Sequence, residues 1–251
     1  MKTLIIIILV ISIIGNIIGA YILYKAMKLK NEVKSLQRYH KDLTAKYEAL
    51  KTDFSGASTY AEDNRRLQSE TTPEQRRGMT IFFGASITRG WDLARYFPGQ
   101  AFVNRGVGSQ TDQQLLTRFP ADVIQLNPGR VVIKFCSGNF RPGADLKVMW
   151  DAYEIMAMTA RARGVIPILA TVIPATRGAE EFADFSIAAS VKEFNQRIKK
   201  LAAEQKFGLV DYYKAMVDGE GYLPDSLARD AIHPNENGYA VMAEVIKPVL
   251  E

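Results

Sequence analysis

The 251-residue chain predicts an α/β domain with a parallel sheet, preceded by a membrane-spanning helix that continues into a coiled coil. Three observations carry this. From residue 79 onward, short apolar runs alternate with longer segments of helical spacing, the order of a parallel sheet covered on both faces. Ahead of them, residues 4–24 are uncharged and apolar throughout. Between the two lies a four-three apolar repeat.

The elements follow in order. The run LIIIILVISIIGNIIGAYILY is about the ~20 residues a spanning helix needs. It has neither the short core of a cleavable signal peptide nor a lipobox cysteine. Residues 1–25 are therefore a predicted transmembrane anchor. Leu29, Val33, Leu36, His40, Leu43, Tyr47, Leu50, Phe54 and Ala57 hold a heptad frame, which predicts a coiled-coil stalk over 26–60. Counted backwards, the frame meets Gly15 and Gly19, small residues that let membrane helices approach closely. The shared phase predicts one continuous helix that dimerises. His40, inside the frame, reads as a residue that sets register. Residues 61–78 are polar, with Pro73 and Gly78, and read as a linker.

Residues 79–251 form the predicted globular domain, long enough to bury one core. Strands are expected at 79–83, 101–104, 130–136, 165–172 and 207–211. Helices are expected at about 111–125, 144–163, 186–205 and 236–250. Charge and composition narrow the function classes. Lys and Arg outnumber Asp and Glu by 13 to 8 over residues 1–78 and equal them, 19 to 19, over 79–251. The larger part thus has no basic excess to recommend nucleic acid. One cysteine, Cys136, excludes an intrachain disulfide, and two histidines without a Cys/His cluster argue against a metal site.

The chemistry-bearing residues are few. In TIFFGASITRGW the first apolar run stops at Gly84-Ala85-Ser86, placing a serine at the carboxyl end of a strand, where open α/β sheets bind ligands. With His40 in the stalk, His233 is the only histidine left for a site. It lies in DAIHPNENGY, held out of helical geometry by Pro234, and Asp230 stands three residues earlier. Ser, Asp and His in that order are the set a hydrolytic triad needs, although each is also an ordinary turn residue. Competing motifs fail. GASIT lacks the second glycine of a nucleophile elbow, RGVGSQT lacks the third glycine of a dinucleotide fingerprint, and no phosphate loop is present.

Taken together, these residues resemble the SGNH (GDSL-type) hydrolases, close to the platelet-activating-factor acetylhydrolase-like branch. Four blocks carry the likeness in order. They are Gly84-Ala85-Ser86-Ile87-Thr88 with Arg89, Gly90 and Trp91; VNRGVGSQT at 103–111; Ser137-Gly138-Asn139-Phe140; and Asp230 to Pro234. The resemblance implies a flavodoxin-like three-layer α/β/α sandwich that needs no cofactor. By it, Ser86 is the nucleophile, His233 the base and Asp230 its orienting acid. The oxyanion donors are the backbone N–H groups of Ser86 and Ser109 and the side-chain amide of Asn139. The chain departs from the pattern at Ala85, where an aspartate is usual, at Ser109, where a glycine is usual, and at Ser137 and Phe140, where a glycine and an aspartate are usual. Phe140 and Trp91 are expected to reshape the substrate pocket.

The implied activity is a membrane-anchored serine esterase acting on a short acyl ester, acetyl included, of an envelope carbohydrate or lipid. An O-acyltransferase and a catalytically drifted scaffold are the alternatives. For topology, the lysines after the anchor favour a cytoplasmic domain, while the resemblance and the signal-anchor shape favour the outside of an inner membrane.

Overall fold

The computed structural model describes residues 2–180 and 185–251. The chain divides into two compact units, residues 1–52 and 53–251. The first is a single helix, α1 (Lys2–Thr52). Its heptad residues Leu29, Val33, Leu36, Leu43, Tyr47 and Leu50 are all exposed on this single chain. Among the described residues no helix is long and apolar enough to cross a membrane. The expected anchor falls partly on residues 1–6, 8, 10 and 11, whose side chains lie outside those described.

The second unit begins earlier than the predicted linker allows. After α1 stops at Thr52, the Asp53 carboxylate accepts the backbone N–H groups of Ala57 and Ser58 at 3.0 and 2.8 Å. A 3-10 turn (Ala57–Tyr60) and helices α2 (Ala61–Glu70) and α3 (Pro73–Arg77) follow. Thus Phe54 and Ala57 are not part of the stalk helix, and residues 61–78 are not a linker. Asn64 is buried, giving its amide to Asp122 at 2.7 Å and accepting from Arg105 Nε at 2.8 Å. Arg77 reaches Pro128 O and Gly164 O at 3.0 and 2.8 Å. The polarity that reads as a linker is satisfied by partners inside the domain.

The sheet contains β1 (Thr80–Gly84), β2 (Phe102–Gly106), β3 (Arg130–Lys134), β4 (Ile166–Ala170) and β5 (Gly208–Val210). All four pairings are parallel, in the order β2-β1-β3-β4-β5. Alternate strand residues face opposite layers. Ile81, Phe83, Val131, Ile133 and Leu169 pack with Phe119, Tyr153 and Phe194. These come from α6 (Asp112–Phe119), α7 (Leu146–Ala162) and α8 (Ile187–Gln205). Phe82, Val132 and Ile168 face Trp91, Tyr212, Met242 and Ile246. Tyr212 opens α9 (Tyr212–Met216), and the methionine and isoleucine belong to α10 (Glu236–Leu250). Each buried side chain of this size contributes about 1.5–3 kcal/mol, and the two layers enclose the sheet as the expected sandwich.

Short helices α4 (Ser86–Arg89) and α5 (Leu93–Tyr96) complete the fold. Caps written in the sequence start the long helices. Thr111 and Gln114 form a capping box on α6, Asp145 caps α7, and Asn235 caps α10. The predicted helix over 111–125 is α6 followed by a π turn from Pro120 to Ile124, because Pro120 has no N–H to continue the ladder. The strand order reverses between β1 and β3, so a crevice opens beyond their carboxyl ends.

Candidate active site

Ser86 stands at that crevice. β1 ends at Gly84, where a Cβ would collide with the Lys134 carbonyl and the Thr88 side chain. Only glycine lets β1 and β3 close so tightly under the turn. Ala85 then carries the chain out of the strand, and Ser86 opens α4.

His233 arrives from the far end of the chain on the loop before α10. That loop is tied by Arg229 N–H to His233 O at 2.8 Å, by Asn235 N–H to Leu227 O at 2.9 Å, and by a bridge between Ala228 and Pro234. His233 Nε2 lies 2.8 Å from Ser86 Oγ. On the other side of the ring, Nδ1 lies 2.8 and 3.0 Å from the two Asp230 oxygens. An acceptor-only carboxylate there selects the tautomer with the proton on Nδ1, which leaves Nε2 to accept from the serine hydroxyl. The Asp230 Oδ1 also accepts the backbone N–H groups of Ile232 and His233 at 3.1 and 2.9 Å. Burial alone would raise the Asp230 carboxyl, but these N–H bonds and the imidazole outweigh it and bring it down to about 2. It is therefore an anion throughout the range in which proteins work.

A cleft of about 240 Å3 holds Ser86, Ser109, Asn139 and His233 together with Gln110, Thr111, Cys136, Arg141 and Ile232. Asn139 closes a 3-10 turn after β3 (Ser137–Asn139), and its Nδ2 donates to Gln110 O at 3.0 Å. That bond uses one amide hydrogen and fixes the plane of the other. Ser109 adopts φ +61°, the left-handed region in which glycine is at ease and serine is strained. A wider groove of about 410 Å3 continues from the cleft, sharing Thr111, Asn139 and Arg141 and adding Asp112, Asp145 and Met149.

A model of the GDSL-like lipase/acylhydrolase family matches residues 82–241. The chain belongs to that family. The GDSL relationship is supported by a GDSL-like lipase from Bacteroides thetaiotaomicron, 30% identical over 79% of this chain and 98% of that one, with a TM-score of 0.71. A lipase/acylhydrolase from Enterococcus faecalis is similar in fold, at 22% identity, 67% and 92% coverage and a TM-score of 0.56. An acetyl-xylooligosaccharide esterase from Geobacillus is similar in fold at 18% identity, 70% and 96% coverage and a TM-score of 0.57. No curated protein matches the chain's sequence.

Two residues expected in the substrate pocket of this GDSL domain lie elsewhere. Trp91 is buried among the helices on one face of the sheet, edge-on to Phe82 at 5.5 Å and stacked on Tyr239 at 5.9 Å. Phe140 is buried on the other face, edge-on to Phe194 at 5.3 Å. Large apolar rings gain more from these two layers than from a wet cleft. The other departures are accommodated too. Ala85 is buried among apolar neighbours, and Ser137 is buried with its hydroxyl 3.4 Å from Ile232 O, next to the histidine.

Sequence reasoning missed Cys136, whose Sγ lies 3.6 Å from Ser86 Oγ, and Gln110, which orients Asn139. Gln110 lies within the stretch VNRGVGSQT, but nothing in a linear pattern says that its carbonyl faces Asn139.

Proposed function

We propose that the protein is a membrane-tethered serine esterase that removes a short acyl group through an acyl-enzyme. The observation that carries this is the continuous hydrogen-bonded line from Ser86 Oγ through the His233 ring to Asp230. Ser86 Oγ attacks the acyl carbonyl as His233 Nε2 takes its proton, and Asp230 stabilises the resulting imidazolium. The oxyanion is met by the backbone N–H groups of Ser86 and Ser109 and by the Asn139 amide. His233 then returns the proton to the departing alkoxide. Water, activated by the same imidazole, releases the acid. The small cleft supports a short acyl group such as acetyl, and the adjoining polar groove supports a hydroxyl-rich leaving alcohol, a carbohydrate before a lipid. If a sugar hydroxyl replaces water in the second step, the same residues perform acyl transfer, and that groove is where such an acceptor would lie.

The finer placement near platelet-activating-factor acetylhydrolases rests on the four sequence blocks. Anchoring by residues 1–25, dimerisation through Gly15, Gly19 and the heptad, and a domain outside the inner membrane belong to the same reading and rest on the sequence pattern.

The deciding experiment is hydrolysis of p-nitrophenyl acetate by the full chain in detergent. Ser86→Ala is expected to lose at least about a thousandfold in kcat with an unchanged melting temperature, and Asn139→Ala about a hundredfold. Wild-type turnover no faster than that of Ser86→Ala would leave the scaffold reading standing.

A further inference from the structure

We propose that Gln110 and Arg118 are positioning residues for the oxyanion donors, and that the strap of residues 53–60 sets where they stand. The proposal rests on the esterase reading above. Arg118 is fully buried, yet every branch of its guanidinium is occupied. Its Nη2 donates to Gly84 O at 2.7 Å, two residues before the nucleophile. Its Nη1 meets the buried Asp122 carboxylate at 2.6 Å, and its Nε donates to the side-chain oxygen of Gln110. The strand that delivers Ser86 and the loop that carries Ser109 are thus held by one rigid fork.

Gln110 passes the constraint on in two directions. Its backbone carbonyl accepts from Asn139 Nδ2 at 3.0 Å, while its side-chain Nε2 donates to Ser55 O at 2.6 Å. The strap also grips the two elements that flank this loop, the end of β2 and the first turn of α6. Tyr60 Oη donates to Gly106 O at 2.6 Å, and Phe54 O accepts from Gln114 Nε2 at 2.8 Å. Gly56 is what permits this contact. It has φ +68°, and a Cβ there would lie 2.7 Å from Gln110 Nε2.

The loop needs such support. Ser109 sits in a left-handed conformation that a serine leaves readily unless its surroundings forbid it, and oxyanion donors act only if already in place when charge develops. A misplacement of about 1 Å can cost on the order of a hundredfold.

The test uses the full chain in detergent with Gln110→Leu, Gly56→Ala and, as a control, Gln68→Ala. Gln68 also ties this region to the domain, through Gln125 O at 3.0 Å, but touches nothing in the loop. Two readouts are taken. Hydrogen exchange of the 106–112 peptide reports loop order without reference to activity. Turnover of p-nitrophenyl acetate, divided by sites titrated with a fluorophosphonate, reports kcat per competent serine. Gln110→Leu and Gly56→Ala are expected to speed exchange about tenfold and to lower kcat per labelled site at least about tenfold, with KM within twofold. Gln68→Ala is expected to change neither. Unchanged exchange in both loop variants overturns the clamp. Faster exchange with unchanged kcat per site overturns the positioning role. Faster exchange in a protein whose wild type neither labels nor turns over overturns the esterase reading and, with it, the catalytic purpose of the clamp.

Discussion

At the scale of single residues, the site and the core each contain one local conflict with a measurable cost. Ser109 holds a glycine-like φ of +61°, which costs a non-glycine residue roughly 1–2 kcal/mol. Ser109→Gly keeps the backbone N–H and removes that strain. It is expected to raise stability by about 1 kcal/mol in urea unfolding while retaining esterase turnover. Lys134 is the second conflict. It is buried on β3, where Phe135 O at 3.1 Å is its one acceptor among the described residues, and burial pushes its ammonium down to about 8 from 10.5. The unfolded chain then binds the proton more tightly, so folding works against Lys134 below pH 8, and this opposition fades as pH rises toward 10.5. The gap corresponds to about 3 kcal/mol. Lys134→Met is accordingly expected to be the more stable protein at pH 7, with its advantage over wild type shrinking between pH 8 and 10.5. An advantage independent of pH would place the gain in packing instead.

At the scale of elements, the sheet and its long helices were legible because their signals are local. Apolar runs of strand length, capping residues and 3.6-residue spacing mark each of them without reference to the rest of the chain. Residues 53–78 were not legible. Their polar side chains meet polar partners far away, as Asn64 meets Asp122 and Arg105, and no periodicity records such pairing. Arg105 Nη2 adds an ion pair with Asp63 at 2.7 Å, off hydrogen-bond alignment, and its guanidinium lies over the Tyr60 ring at 4.6 Å. The arrangement predicts a large penalty for breaking it. Asp122→Ala leaves Arg118 charged and unpaired in the core, and is expected to destabilise the domain by about 3–5 kcal/mol. Asn64→Ala, which removes a neutral partner, should cost about 1–3 kcal/mol. Chemical denaturation of the two variants side by side checks the ranking.

At the scale of the whole molecule, the candidate site follows from topology. The reversal of strand order at β1 and β3 puts the turn after each strand on one crevice, so Ser86 and Asn139 meet there whatever the loops contain. The serine, histidine and asparagine that line this crevice were therefore readable from four short blocks. Trp91 and Phe140 were not, because which layer a ring joins depends on helices that the motif does not mention. The domain boundary suffers in the same way. A fragment starting at residue 79 removes Asn64 and Asp63 from buried Arg105 and Asp122, so residues 53–251 are expected to melt as one cooperative unit, whereas 79–251 should melt earlier and aggregate. Circular dichroism of the two fragments decides it.

The contact between Ser86 and His233 joins residues 147 positions apart. Closing so long a loop is entropically slow compared with forming any helix or any neighbouring strand pair. Turnover is thus a clock for the last step of assembly. In a refolding experiment, helical ellipticity should return first and esterase activity last, and a single nick in the intervening chain that frees α10 should silence the enzyme while leaving most of its secondary structure intact.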